Sequence, residues 1–403
     1  MTFLAALLLS SALSPARAAP ACPAPRYEKE MAGFLAQVRA LSPEQAAKTL
    51  DALSNDSSDD GYAAHLGLAS LLKLRSQGAM PAQGVYCDVA GRWIGVTTED
   101  HRDFTLDLTK ADAHGAVDLA QLREGPAPDS ARTAKQIDDF LNDLSKKTDL
   151  SAFHISIVDL RDAAKAGRAG WHDTEIVPAA SVIKLAVLAY AYHAAQTGAL
   201  DWSQTVLIDP KNVVATWGPT PDPYPAIAAG ARWSVRDLVK VMVRRSDNCA
   251  TDTLIDLFGR EKITAFAHEI GCAQTLLRHK LNDDNDPQAT GLNQMPPHDA
   301  AVLLEAVARR NLVSPQASQD MLETLGEQMD RYLIAQILPP GAVYAGKTGQ
   351  LSHNRNDAAI VRGPGRSYVL VIYTSLTDND DSTSPAADQI RAAAKALDAF
   401  LSR

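Results

Sequence analysis

Pro178-Ala179-Ala180-Ser181-Val182-Ile183-Lys184-Leu185-Ala186-Val187-Leu188-Ala189-Tyr190-Ala191-Tyr192-His193-Ala194-Ala195-Gln196-Thr197-Gly198 is the stretch whose reading decides the fold. A small-residue turn after Pro178 runs straight into an apolar helix that opens with Ser-x-x-Lys. Residues three apart share a helix face, so the Lys184 amine can lie against the Ser181 hydroxyl. A serine hydroxyl is a poor nucleophile near neutral pH and needs a base beside it. Lysine serves when burial and neighbours lower its pKa. At a helix start, free N–H groups and the positive dipole end would also favour an oxyanion on Ser181 chemistry. Alone, the pattern is weak. Ser70-Leu71-Leu72-Lys73 repeats it inside an ordinary amphipathic segment, where it reads as a chance match on a helix surface.

The chain has 403 residues, enough for two domains or one large one. Its 46% hydrophobic and 22% charged residues are ordinary for a soluble globular protein. A net charge of −9 leaves no basic footprint for nucleic acid. Residues 1–19 read as a secretory signal: Leu4 to Leu9 is an apolar core and Ala16-Arg17-Ala18 a small-x-small cleavage site, although no Lys or Arg precedes the core. No other stretch approaches the length of a membrane-spanning helix. Export suits the four cysteines Cys22, Cys87, Cys249 and Cys272, which allow three pairings. Cys22 with Cys87 and Cys249 with Cys272 is preferred, because each bond then stays within one half of the chain; free buried thiols are the alternative.

Helical periodicity runs over Tyr27–Leu41, Pro43–Leu53 and Tyr62–Gln77, with Ser42-Pro43-Glu44-Gln45 as a helix start. Val85–Asp88, Trp93–Thr98 and Phe104–Leu108 read as short strands, and Gly125-Pro126-Ala127-Pro128 as a linker. Asp129 or Ser130 then caps a helix over Ala131–Lys147, and Phe153–Leu160 alternates as a half-buried strand that Glu175–Val177 pairs with. A mostly helical region follows to about Leu338, broken by a Pro/Gly-rich loop at Trp217–Pro225. Strands return at Ala342–Ala345, Asp357–Arg362 and Tyr368–Thr374, the last two joined by Gly363-Pro364-Gly365, before a closing helix at Ala386–Leu401. Strands at both ends with helices between them predict one antiparallel sheet completed by both termini, with an inserted helical lobe.

Two further motifs give Ser181 its meaning. Arg245-Ser246-Asp247-Asn248 follows the predicted helix Val235–Arg244. A second serine there can pass a proton between Lys184 and a leaving group, and Asn248 offers a donor and an acceptor to a substrate amide; a capped helix corner is the plainer reading. Gly346-Lys347-Thr348-Gly349-Gln350 lies at a strand end, where a lysine and a hydroxyl can bind a carboxylate and glycine allows close approach. In this order, with 65 positions from Ser181 to Ser246 and 101 from Ser246 to Lys347, the motifs resemble the penicillin-recognising serine enzymes, specifically the class A β-lactamase family. The resemblance covers about residues 130–403. It implies Ser181 as acylated nucleophile, Lys184 as its base, Ser246 as proton shuttle and Asn248 as contact to the side-chain amide. It further implies Lys347 and Thr348 as carboxylate site, the backbone N–H groups of Ser181 and Gln350 as oxyanion hole beside Gly349, and Trp217 as an aromatic wall, although a loop-packing tryptophan explains Trp217 equally well.

One departure matters. The family carries a Glu shortly before a Leu-Asn pair, where it activates the deacylating water. Here Leu277-Arg278-His279-Lys280-Leu281-Asn282-Asp283-Asp284 supplies the Leu-Asn, but the glutamate position falls on Arg278. Asp283 or Asp284 can substitute, or form a solvated acidic turn. The resemblance then implies intact acylation and slow hydrolysis, which leaves a penicillin-binding protein, a D-Ala-D-Ala peptidase-like enzyme, a covalent β-lactam sensor or an esterase open beside a β-lactamase. No G-x-S-x-G elbow and no zinc spacing competes. The overall expectation is an exported α+β protein: signal 1–19, a small accessory α+β domain 20–127, and a β-lactamase-like catalytic domain 128–403. A helical and then strand-rich first module is similar to that of the lactamase-fold protein of clavulanic acid biosynthesis, whose first domain is steroid-isomerase-like. The expected partner is a small β-lactam, ester or peptidoglycan-stem-like molecule; no metal or organic cofactor, nucleic acid or membrane segment is implied, and the oligomeric state is left open.

Overall fold

The computed structural model describes residues 25–54, 68, 72, 83–87, 93–97, 103–107, 122–124, 132–161, 167–214, 222–281, 292–351, 354–363, 365–375 and 385–402. The signal segment 1–19, Cys22, Ser70, the linker, Trp217, Asp283 and Asp284 lie outside the described residues. Helices α1 (Pro25–Ala40) and α2 (Pro43–Ser54) come first, the latter opened by a Ser42 hydroxyl that accepts from Gln45 N at 3.1 Å. Strands β1 (Gln83–Cys87), β2 (Trp93–Thr97), β3 (Asp103–Asp107) and β4 (Leu122–Glu124) form an antiparallel meander in that order. Helix α3 (Ala134–Ser145) is capped by Thr133, not by Asp129 or Ser130. Thr133 and Gln136 satisfy each other's backbone N–H in a capping box, which fixes the start there.

The second sheet has the order β6-β5-β11-β10-β9, with every neighbouring pair antiparallel. Its strands are β5 (Phe153–Asp159), β6 (Arg168–Trp171), β9 (Val343–Leu351), β10 (Asn354–Gly363) and β11 (Arg366–Thr374). The partner of β5 is Arg168–Trp171 rather than Glu175–Val177. A tight turn excludes the latter: His172 takes φ 51°, Glu175 N returns to His172 O at 3.2 Å, and Asp173 accepts from Ser156 Oγ at 2.9 Å. Between β6 and β9 lie α4 (Lys184–Gln196), the small hairpin β7 (Thr205–Leu207) with β8 (Arg232–Ser234), and α5 (Val235–Arg244). Then come α6 (Asn248–Phe258), α7 (Arg260–Glu269), α8 (Pro297–Ala308), α9 (Pro315–Gly326) and the single turn α10 (Ile334–Ile337). Helix α11 (Pro385–Leu401) closes the chain. Among the described residues no helix is long and apolar enough to cross a membrane.

The period of two along each strand builds two cores from one sheet. Val369, Val371 and Tyr373 of β11 face the helical lobe, while Tyr368, Leu370 and Ile372 face α3 and α11. Strand β10 divides likewise, Ala358 and Ile360 to the lobe and Ala359 and Val361 to the other side. Helix α4 is buried nearly all round, because it runs through the middle of the lobe.

The expected Cys249–Cys272 bond is absent: both are free, buried thiols. Each sulfur is engaged elsewhere, Cys249 Sγ accepting from Val214 N at 3.2 Å and Cys272 donating to Asp299 O at 3.2 Å. Burial pushes both thiols up. The Cys22–Cys87 pairing falls outside the described residues, since Cys22 does.

Helix α11 is locked to the sheet by charge as well as packing. Asp398 accepts from Arg366 Nε at 2.6 Å, Arg366 Nη2 at 2.8 Å and Tyr368 Oη at 2.6 Å, all in buried positions. Removing the carboxylate strands the guanidinium in low dielectric. Asp398→Ala is therefore expected to cost about 3–5 kcal/mol, measured by chemical denaturation; a loss under about 1 kcal/mol contradicts the assignment.

Candidate active site

Ser181 sits in a 3₁₀ turn, Ala180–Ile183, and the α-helix begins only at Lys184. The turn is strained. Ala180 takes φ 48°, a left-handed conformation that costs a residue with a Cβ on the order of 1–3 kcal/mol. Neighbours over-determine it. Asn356 Nδ2 donates to Pro178 O at 2.8 Å and Ala179 O at 3.1 Å, and Ala179 N donates to Asn293 O at 3.3 Å. Strand β9 presses on the same turn at Gly349, where a Cβ would lie 3.1 Å from Ser181 N and 3.0 Å from Ala179 O. Only glycine allows the strand this close to the Ser181 N–H, and Gln350 follows it in β9.

Lys184 is fully buried. Its Nζ lies 2.7 Å from Ser246 O, 2.7 Å from Asn248 Oδ1 and 3.0 Å from Ser246 Oγ. Burial pushes its pKa well below the usual lysine range, the Lys347 charge adds to this, and Asp247, Asp252 and Asp330 oppose it. All three contacts are donations from Lys184 Nζ, and loss of one proton frees a lone pair that can accept another. Among the described residues no hydrogen bond joins Ser181 Oγ to this amine, although one helical turn separates them.

Ser246 also takes a left-handed φ, 56°. Asp247 caps α6 through Ala250 N at 2.9 Å and accepts from Arg245 Nε at 3.1 Å. Arg245 in turn binds Tyr224 O at 2.9 Å and Pro225 O at 2.8 Å. The corner that the sequence explains as a simple cap is thus the device that turns Ser246 and Asn248 toward Lys184.

Lys347, Thr348 and Gly349 lie inside the nine-residue β9, not at its end. Lys347 is fully buried and its pKa is pushed down to about 8 by desolvation, against the pull of Asp330 and Asp357. Thr348 Oγ1 lies 3.4 Å from Asp330 Oδ2. Asp357, paired in register with Thr348, accepts from Tyr344 Oη at 2.7 Å and Ile334 N at 3.0 Å, and burial raises its pKa to about 7. Gln350 is exposed and its Oε1 lies 3.5 Å from Tyr332 Oη. Arg355 is fully buried beneath the Tyr332 ring, 5.9 Å from its centroid.

The segment 276–281 runs beside the Ser181 turn: Gln294 bridges both Pro178 and Leu276, and Asn293 Oδ1 accepts from Arg278 N at 2.8 Å and His279 N at 3.1 Å. Leu281 N donates to the buried Asp252 Oδ1 at 2.7 Å, and Lys280 Nζ reaches Asp256 at 2.6 Å. No carboxylate belongs to this described stretch, and Arg278 occupies the position where the glutamate was expected. Among the described residues no group of three or more His, Cys, Asp or Glu is gathered to hold a metal ion.

The structure thus brings Ser181, Lys184, Ser246, Asn248, Lys347, Thr348, Gly349 and Gln350 to one place. Sequence reasoning missed Asn356, Asn293, Asp252, Asp330 and Asp357. An Asn-Asp pair opening the apolar run Ala358–Val361 was a usable signal for two of them; Asp330 lies in an irregular connection and gave none.

Comparison with known proteins shows the family and the fold. The model of the β-lactamase enzyme family matches residues 133–400. The extended-spectrum β-lactamase PER-1 of Pseudomonas aeruginosa is 26% identical over 230 residues, 53% of this chain and 72% of that protein. The solved structure of PBP-A is 21% identical, with a TM-score of 0.57 over 68% of this chain and 98% of that one. A leucine-to-glutamate mutant of PBP-A, solved as an acyl-enzyme complex with penicillin G, is 21% identical, with a TM-score of 0.56 over 67% and 97%. The solved structures show the shared fold. Since the family match spans the whole antiparallel sheet, the helical lobe and all three motifs, the chain belongs to the β-lactamase family of serine hydrolases.

Proposed function

We propose that this protein catalyses acyl transfer through a Ser181 acyl-enzyme, with a β-lactam or a related amide or ester as acyl donor. The observation that carries the reading is the fully buried Lys184 amine, held by Ser246 and Asn248 one helical turn from Ser181. Neutral Lys184 takes the Ser181 proton as Oγ bonds to the carbonyl carbon. The carbonyl oxygen, now negative, is met by the N–H groups of Ser181 and Gln350. As the scissile C–N or C–O bond breaks, Ser246 gives its proton to the leaving atom and is reprotonated from Lys184. Asn248 meets the amide of the donor, and Lys347 with Thr348 meets the polar group beyond the scissile bond. Water then hydrolyses the ester on Ser181. The apolar Leu4–Leu9 run before Ala16-Arg17-Ala18 supports export, and residues 20–127 are read as an accessory module.

A second reading, a covalent binder that releases its acyl group slowly, has its own support. The described stretch 276–281 beside Ser181 supplies Leu, Arg, His and Lys but no acid. Asp283 and Asp284 follow it and are the deacylation candidates, with Trp217 proposed at the mouth of the site.

Four outcomes test these proposals. Incubation with penicillin G, followed by intact mass, is expected to add one penicilloyl group to Ser181; Ser181→Ala abolishes the adduct and Ser70→Ala does not. Lys184→Ala is expected to slow acylation by about 10³-fold or more, and an unchanged rate sinks the lysine's role. In pH profiles, Lys347 near 8 is charged below that value and neutral above it. Acylation by penicillin, whose carboxylate needs the charge, should fall as pH rises from 8 to 10, while acylation by a neutral activated ester should not; parallel profiles refute the assignment. Finally, Arg278 stands at the expected glutamate position, its N–H held by Asn293 Oδ1 at 2.8 Å. Arg278→Glu is expected to shorten the adduct's lifetime by at least about tenfold, read by mass against time, and an adduct of unchanged or longer lifetime refutes this placement.

A further inference from the structure

Asp330 stands at the one hydroxyl expected to receive the donor's carboxylate. Its Oδ2 lies 3.4 Å from Thr348 Oγ1, and among the described residues it forms no ion pair. The adjacent Arg331 does not neutralise it, because its guanidinium donates to Gln328 O at 2.9 Å and to Gly326 O and stacks over Tyr344. Arg355 is sealed beneath Tyr332. Beyond Asp330 the surface does not close. Asp330 also lines a cavity of about 530 Å³, together with Arg331, Tyr332, Gln336, Asp388 and Arg391. Arg391 there is already committed to Asp388 at 2.6 Å and to Tyr332 O at 2.9 Å.

A hydroxyl has one proton to give, and a carboxylate already beside it competes for that proton. A second carboxylate placed on Thr348 would also meet the Asp330 charge across a few ångströms of partly excluded solvent. An N–H donor meets no such penalty and finds an acceptor in Asp330. We infer that Asp330 is a specificity-determining residue that turns the site from acyl donors ending in a free carboxylate toward donors whose leaving group carries a neutral amide and continues into this cavity. The inference rests on the Ser181 acyl-enzyme reading and names the leaving-group side of its substrate.

Two thioesters, phenylacetylglycyl thioglycolate and the matching thioglycolamide, differ only in a terminal carboxylate against a carboxamide. Thiol release gives kcat/KM for each. The wild-type protein is expected to prefer the amide. Asp330→Asn should shift the ratio of kcat/KM for the carboxylate thioester to that for the amide about tenfold or more toward the carboxylate, the size of one removed like charge at this range. Asp330→Ser, smaller and uncharged, should shift the ratio in the same direction, which guards against one variant that fails to fold. A ratio that moves less than twofold in both folded variants, or moves toward the amide, overturns the inference. A wild-type protein that takes an acyl group on Ser181 from neither thioester nor from penicillin overturns the acyl-enzyme reading and this inference with it. Labelled Ser181 with an unmoved ratio overturns the role of Asp330 alone.

Discussion

A lysine amine taken wholly out of water needs its hydrogen bonds met, and burial also pushes its pKa down; both hold for Lys184 at one place. Its three partners come from Ser246 and Asn248, on the far side of the helical lobe in sequence. The demand of one buried nitrogen therefore fixes the corner between α5 and α6 against the start of α4. The corner has its own support in Asp247 and Arg245, whose bonds hold Ser246 in a backbone conformation that a serine does not choose alone. Removing either partner leaves the other polar and buried, so the arrangement holds together as a unit.

The sheet contributes rigidity to the same point. Strand β10 sends Asn356 to the carbonyls of Pro178 and Ala179, and β9 sends Gly349 against the Ser181 nitrogen. The strain at Ala180 is thereby kept, as it is in many sites where geometry matters more than local comfort. The two cores behind this contact are of opposite kind in sequence: one is the inserted lobe, the other joins the first and last elements of residues 134–401 through β5, β11, α3 and α11. A site at the seam between them is held by elements that reach it from both directions.

Much of this was legible in residue order. Apolar alternation located β5 and β11, and the helical period located α5 and α11. Three short motifs predicted eight residues that do converge. What was illegible has physical causes. Strands β9 and β10 extend well past their apolar cores because Lys347, Thr348, Asn354, Arg355, Asn356 and Asp357 are buried polar residues, and periodicity reads buried polar residues as loop. The β6 partner was misplaced because a four-residue edge strand with Arg, Gly and Trp carries almost no pattern. The Cys249–Cys272 pairing failed because spacing says nothing of direction, and the two thiols point at different backbone oxygens, those of Val214 and Asp299. Asp330 and Asn293 act through tertiary contacts from irregular segments, which leave no trace in a window of neighbours.

The two buried lysines are coupled, and the coupling has a direction. The charge of Lys347 helps to keep Lys184 neutral. Lys347 itself stays charged up to about pH 8 only because Asp330 and Asp357 offset its desolvation. Acids beneath and beside β9 therefore act on Ser181 at one remove, by holding a cation that holds a base uncharged. Asp357 can do this only in part near neutrality, since burial raises it to about 7. Asp330, nearer solvent, half-buried and without an ion pair among the described residues, adds a second carboxylate to that task. A residue at that spot is under two opposing demands: its charge supports Lys347, and the same charge repels an anionic substrate. A fold that keeps it has settled the conflict in favour of the base.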